Sequence, residues 1–349
     1  MTVSPPRPLR FFRFLALAGL ACTLTPAATA AADVPPPGPA APAASRPAPA
    51  ARDLFLDGMM RVRTALGPTR ITRSELREAV QDRRVRGTVP VRVKTWPFLL
   101  TDQEGVVLVS LEAGNADLNY VRTEEGFRAE LLVYGAIRTL DERKVQEFED
   151  QLVSVYPVTE FQRRDKERSV YQKFVFLPPG NYKISLAAQD PVSGNLSLVD
   201  AGVRVPRPGT GRFALSVILP GTRVDKVDPA ANPYNPFLLG DLKLIPGVSG
   251  TFRRTEGLTA YFQILPGPGG PAAGYAVRYE VRRGGEAVWS AVDPAGTPFH
   301  QEAPRRVVVV RRIPLDTLEA GNYTLKVTVT EAGGGMEQSV TTDFNVEGP

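Results

Sequence analysis

One cysteine and one histidine occur among the 349 residues. Cys22 falls in a segment read below as a removed leader, so the mature chain carries no thiol. Disulfides, thiolate catalysis, cysteine zinc sites and histidine-based triads are therefore excluded. No P-loop and no dinucleotide-type glycine fingerprint is present, and Gly333-Gly334-Gly335 reads as a hairpin turn. Nor is there a run of apolar residues long enough for a comfortable membrane span, which leaves no span in the mature chain. What remains is an ordinary globular composition, 43% hydrophobic and 23% charged, with 31 Gly and 33 Pro. That much Gly and Pro suits many short strands joined by tight turns.

Charge is weakly informative. The formal +5 includes Arg7, Arg10 and Arg13, and residues 1–30 hold no acid, so the rest of the chain carries only +2. Its positive excess sits in 51–86, where nine Arg face five acids. The Arg residues alternate with Glu and Asp on a predicted helix rather than forming a basic stripe. A solvated helix face is the reading, and no nucleic-acid partner is expected.

The N-terminus has the order of a secretory signal. Arg7, Arg10 and Arg13 precede the apolar run Phe14–Leu24, Pro26 ends it, and Ala28-Thr29-Ala30 supplies small residues for cleavage. Export to the periplasm or beyond is expected, with cleavage near Ala31; lipid attachment at Cys22 is the alternative. Residues 31–52 read as a disordered linker, since 31–50 hold eight Ala and seven Pro and offer nothing to bury. Residues 53–87 form a short helical segment. Its first part is expected at about 53–66, stopped by Gly67-Pro68, and its second at about 73–84. Thr72 and Glu75 stand in capping-box spacing there, with Leu76, Ala79 and Val80 on one face.

From residue 88 the period changes to two. Val89, Val91 and Val93 alternate until Pro97 interrupts, and Phe127, Ala129, Leu131 and Val133 alternate further on. Residues 142–152 are polar enough for a loop or a helical turn. Tyr182, Ile184, Leu186 and Ala188 face one way, while Lys183, Ser185 and Gln189 face the other. The pattern recurs in Leu258–Ile264, in Tyr275–Val281 before the hairpin turn Gly284-Gly285, and in Tyr323–Val329. The predicted architecture is mainly β: two immunoglobulin-like or fibronectin-like antiparallel β-sandwiches, domain 1 over 88–207 and domain 2 over 243–349. A strand and a Pro/Asn-rich connector fill 208–242.

One local signature occurs in both halves. Leu177-Pro178-Pro179-Gly180-Asn181-Tyr182 matches Leu318-Glu319-Ala320-Gly321-Asn322-Tyr323. A glycine that permits positive φ, followed by a tyrosine whose ring packs between sheets and whose hydroxyl returns to nearby backbone, describes a tyrosine corner. Tyr182 and Tyr323 are read as scaffold.

The second half resembles the C-terminal β-sandwich region of secreted VWFA-related proteins, found mainly in Acidobacteria. Leu244–Arg254 (LIPGVSGTFRR), Leu258–Phe262 (LTAYF) and Ile313–Tyr323 (IPLDTLEAGNY) carry the likeness. The first half is similar to the domain that precedes it there, and to sandwich regions of GWxTD-type secreted proteins. The chain lacks the Asp-x-Ser-x-Ser metal motif, and Trp96 and Trp289 stand in no Gly-Trp-x-Thr-Asp context. The resemblance therefore implies architecture and export, without the von Willebrand A domain or its metal site.

Few chemical candidates remain. Asp225, Asp228 and Asp241 match no Ca²⁺ loop and read as a polar connector. His300, with Glu302 nearby, reads as a solvated loop residue. No catalytic, cofactor or metal residue is assigned, and no cofactor is expected. The leading function is an exported, non-enzymatic binding or structural protein, meeting a protein or a cell-surface glycan through loops or a sheet edge. The alternatives are an extracellular polymer hydrolase with a carboxylate pair, or an assembly subunit of an envelope complex docking through 53–86.

Overall fold

The computed structural model describes residues 59–60, 63, 72–85, 87–207, 209, 213–226, 238–239, 242–267, 274–299, 301–303, 306–333 and 335–348. The expected signal (1–30), its Cys22 and the linker (31–52) lie outside the described residues.

The first sandwich pairs two sheets. Its inner sheet has the order β1 (Val91–Leu99), β2 (Gly105–Gly114), β6 (Arg168–Leu177). Its outer sheet runs β5 (Lys144–Tyr156), β4 (Gly126–Thr139), β7 (Gly180–Gln189), β8 (Leu196–Val205), with β3 (Val121–Thr123) also on β4. This order is that of an immunoglobulin- or fibronectin-type sandwich. Alternation fills the space between the sheets: Val107, Val109 and Leu111 from β2 meet Leu131 and Val133 from β4 and Ile184 from β7.

The second sandwich repeats the plan. Its inner sheet runs β11 (Leu238–Leu239), β12 (Leu242–Pro246), β10 (Leu219–Lys226), β14 (Leu258–Pro266), β18 (Arg306–Ile313), β17 (Gln301–Ala303), and β9 (Phe213–Leu215) also pairs with β14. Its outer sheet runs β13 (Thr251–Arg253), β20 (Glu337–Glu347), β19 (Gly321–Glu331), β15 (Tyr275–Arg283), β16 (Glu286–Asp293). All these ladders are antiparallel except β13 on β20. Phe262, Val277, Tyr279, Val309, Leu325 and Val327 lie in its core. Strand β9, where a strand was expected, and β10, largely within the stretch expected as a connector, hydrogen-bond into this sandwich through β14.

Both tyrosine corners are formed. Tyr182 Oη donates to the Pro178 carbonyl at 2.8 Å, and Tyr323 Oη to the Glu319 carbonyl at 2.9 Å. The two glycines serve different ends. Gly321 takes φ 149°, whereas Gly180 makes room: a Cβ there would stand 3.2 Å from Tyr182 Oη.

Three local expectations are corrected. Pro97 does not interrupt β1, which continues to Leu99. Because β1 is the edge of its sheet, a missing N–H is tolerated there. Residues 144–156 form neither loop nor helical turn but the edge strand β5, whose charged residues suit an unpaired edge. The helix α1 (Ser74–Asp82) exists, but no capping box does: the N-cap is Arg73, without a side-chain cap bond. Glu149 on β5 takes over, accepting from Thr72 N (2.8 Å), Thr72 Oγ1 (2.6 Å), Arg73 N (2.9 Å) and Arg73 Nη1 (2.6 Å).

α1 places Leu76, Ala79 and Val80 at i, i+3 and i+4 against Tyr134, Ala136 and Ala187 on the outer sheet of the first sandwich. Nine residues could not hold a helix alone in water, so this burial sustains it. Of the earlier helical stretch, Met59, Met60 and Arg63 are described and helical. Among the described residues no helix is long and apolar enough to cross a membrane.

A third cluster joins the two sandwiches. Trp96, Phe98, Leu108 and Phe174, on the far side of the first inner sheet, share it with Tyr261 and Val308 of the second, and Met59 is buried there too. The two inner sheets therefore meet face to face.

Candidate functional site

The register of β1, β2 and β6 lays out the meeting face in rows. Phe98 lies opposite Val106 and that opposite Phe176; the next row is Trp96, Leu108, Phe174. Two residues further along each strand the chemistry changes. Lys94, Ser110 and Gln172 form the third row, and Arg92, Glu112 and Val170 the fourth. Side chains alternate strictly along a strand, so all four rows face the second sandwich.

Where the rows are apolar the sheets close. Arg306, only 3% exposed, seals this end: its Nη1 donates to the Leu99 carbonyl (2.8 Å) and Gln263 Oε1 (2.5 Å), and its Nη2 to the Leu100 carbonyl (3.2 Å). Phe98 and Tyr261 meet edge to face at 5.6 Å. At the fourth row, Arg92, Glu112 and Val170, the sheets stand apart and leave an open cleft of about 1600 Å³. Its aliphatic lining comes from Val91, Val170, Val224, Ile245 and Val310.

Charged groups on the strands flank that lining. Glu112, 6% exposed, accepts from Arg168 Nη1 at 2.7 Å and lies 3.5 Å from Arg92 Nη1. From the facing sheet comes Arg312, paired in register with Thr259 and donating to the Glu256 carbonyl at 2.9 Å. The lining also holds the acids Asp117, Asp165, Glu167, Glu256 and Glu347 and the cations Arg163, Lys166 and Arg253, so its charges balance. Arg253 reaches the Lys166 carbonyl at 3.3 Å and ties the second sandwich to the 3-10 helix Val158–Lys166 of the first. That margin is braced below. Asn115 donates to Tyr156 Oη (2.6 Å), which donates to Glu167 (2.7 Å), and burial with this carboxylate contact pushes the Tyr156 hydroxyl up to about 12.

Lys94 lines a neighbouring hollow of about 690 Å³ with Gly250, Gly284, Asn322 and Asn345. Its ammonium sits 5.7 Å from the Trp96 ring centre, and burial holds its pKa below the usual lysine value despite the pull of Asp343. Two further groups in its row lack partners: Ser110 Oγ and Gln172 Nε2 are buried without a hydrogen bond.

A general acid needs a carboxyl whose pKa is raised. Every described carboxylate that is displaced, at Asp141, Glu147, Glu149, Asp190 and Asp200, is displaced downward, and none of the five lines the cleft. Among the described residues no group of three His, Cys, Asp or Glu side chains could hold a metal ion. The backbone of Asp225 lies in β10, whereas Asp228, Asp241 and His300 fall outside the described residues. Glu302 lies on β17. The sequence reading assigned none of the cleft residues to a site; Val91 was read as strand core, and Ile245 to Arg253 only as part of a family likeness. The available signal was the second face of β1, where Arg92, Lys94, Trp96 and Phe98 alternate with the valines taken for core.

Fold and cleft define a protein of tandem β-sandwiches joined inner sheet to inner sheet. No family model matches the chain, and no curated protein matches it. Among solved structures it is similar to a calcium-binding mutant of Bacteroides uniformis beta-glucuronidase 2, at 8% identity and a TM-score of 0.24. That likeness covers 36% of this chain and 13% of the other, so the chain spans far less than two thirds of that protein.

Proposed function

We propose that this chain is an exported, non-enzymatic binding protein whose two β-sandwiches hold a partner in the cleft between their inner sheets. The observation that carries the reading is the state of the cleft's buried carboxylate. Glu112 is engaged by Arg168 and Arg92, an arrangement for holding side chains in place. A hydrolase would instead leave one acid protonated and another free. The cleft has a volume of about 1600 Å³. Small-molecule pockets run about 300–1,000 Å³, so this one suits a segment of a polymer. Export rests on the charged and apolar regions at the N-terminus, and the resemblance to secreted VWFA-related proteins supports it. The apolar face of α1 is spent on the chain's own sheet, which favours the cleft over the helical arm as the place for a partner.

The test compares retention of the exported chain on an isolated cell-envelope fraction with release of products from that fraction. Retention that falls in Arg312→Ala, with no products released, is expected. Product release that disappears in Glu112→Gln would overturn the reading in favour of a hydrolase.

A further inference from the structure

We infer that Lys173 and Asp150 condense to an amide, a covalent staple between the two sheets of the first sandwich. β5 and β6 are edge strands of different sheets and lie side by side. Phe148 and Leu152 of β5 point into the core, as do Tyr171 and Val175 of β6. Alternation places Asp150 and Lys173 on those same inward faces. Lys173 Nζ lies 3.2 Å from Asp150 Oδ2 and 5.8 Å from the centre of the Phe148 ring, with 11% of its side chain exposed. Cys22 is the one thiol of the chain, so no intrachain disulfide can join these sheets. An amide between Lys173 and Asp150 would do so, closing a loop whose ends lie 23 residues apart.

The groups that amide formation needs surround the pair. Asp150 Oδ1 accepts from Gln151 N at 2.9 Å, where a tetrahedral oxyanion would be held. Asp150 Oδ2 accepts from Tyr171 Oη at 3.3 Å, and burial holds that hydroxyl well above its usual pKa, so it keeps a proton to give. Lys173 passes one proton to Oδ2, and its neutral Nζ attacks Cγ. A second proton moves from Nζ through Tyr171 to Oδ2, the Cγ–Oδ2 bond breaks, and water leaves. The third proton stays on the amide nitrogen, and no outside reactant is consumed. Holding amine and carboxyl in contact supplies an effective molarity on the order of 10⁵ M or more, which offsets the tendency of water to hydrolyse the amide. The second sandwich repeats the arrangement with an inert cation. Tyr279 donates to Asp293 Oδ2 at 2.9 Å on the edge strand β16, and Arg311 of the other sheet donates to Oδ1 at 3.0 Å. A guanidinium keeps its protons and does not attack, so an ion pair remains there.

The experiment is intact-mass analysis of the purified, denatured chain, compared with the sequence from its observed N-terminus. The parent should be lighter than that sequence by the mass of one water. Protease digestion should release one branched peptide in which Lys173 is joined to Asp150. Lys173→Arg and Asp150→Ala should each show the full sequence mass, and Tyr171→Phe should lose its water at least about tenfold more slowly. Lys173→Arg keeps an ion pair of the kind Arg311 makes, so it should fold and melt about 10 °C below the parent. A parent of full mass, unchanged on prolonged incubation of the folded chain, overturns the inference. So does a loss of water that persists in Lys173→Arg, since it would place the reaction at other residues.

Discussion

Along β1, Arg92 and Lys94 occupy one half of the face turned to the second sandwich, and Trp96 and Phe98 the other. The backbone is the same and the ladder to β2 unbroken, yet one half is welded shut and the other stands open. Burying a large apolar side chain contributes roughly 1.5–3 kcal/mol, so two rows of them draw the sheets together. Taking the Arg92, Glu112 and Arg168 charges fully out of water would cost several kcal/mol, so that row holds the sheets apart. The hinge between contact and cleft is thus a change of side-chain chemistry within four residues of one strand. It also means that the two sandwiches share a core.

Breaking the closed half should have the largest effect. Phe98→Ala should cost about 3–5 kcal/mol in urea unfolding, whereas Arg92→Ala on the same strand should stay within about 0.5 kcal/mol. Similar losses at both positions would erase the distinction. Next comes Arg306→Met, which strands the Leu99 and Leu100 carbonyls and Gln263 and should cost about 3 kcal/mol. Calorimetry should then show the two sandwiches melting apart where the parent melts in one transition.

A charge-held contact should respond to acid as an apolar one does not. Burial pushes Glu149 up, but the bonds from Thr72 and Arg73 override it and leave its carboxyl below the usual value. A group depressed in the folded state contributes stability that is present above its unfolded pKa, about 4.3, and lost as pH falls through the folded value. Hydrogen exchange in α1 should therefore rise below about pH 4 before exchange around Phe98 does, and Glu149→Gln should bring that loosening to neutral pH. Smallest are the corners. Tyr182→Phe and Tyr323→Phe should each cost about 1 kcal/mol, with additivity in the double variant to about 0.5 kcal/mol. Strong coupling between them would mean that the shared core transmits strain from one sandwich to the other.

Much of this fold was legible. Alternation over Tyr182–Ala188 and Tyr323–Val329 marks β7 and β19, and the repeated Leu-x-x-Gly-Asn-Tyr marks both corners, because strand period and corner geometry are local. β5 was missed because an edge strand needs its charged residues outside, and charges erase the apolar period. The cap of α1 was missed because its acceptor, Glu149, lies 77 residues from Thr72. The cleft was missed for a related reason. Arg92, Arg168 and Arg312 read singly as solvated cations, and nothing in their spacing says that they meet.

By itself the sequence determined the β class, the two sandwich cores and their tyrosine corners, since each depends on which way neighbouring side chains of one strand point. Only the tertiary structure decided that the inner sheets pack on each other, that they do so over part of their length, and that Arg92, Arg168 and Arg312 gather where the packing stops. A strand's periodicity says that it has two faces. What covers the second face depends on residues elsewhere in the chain, and is settled by the balance of burial against desolvation when the two surfaces meet.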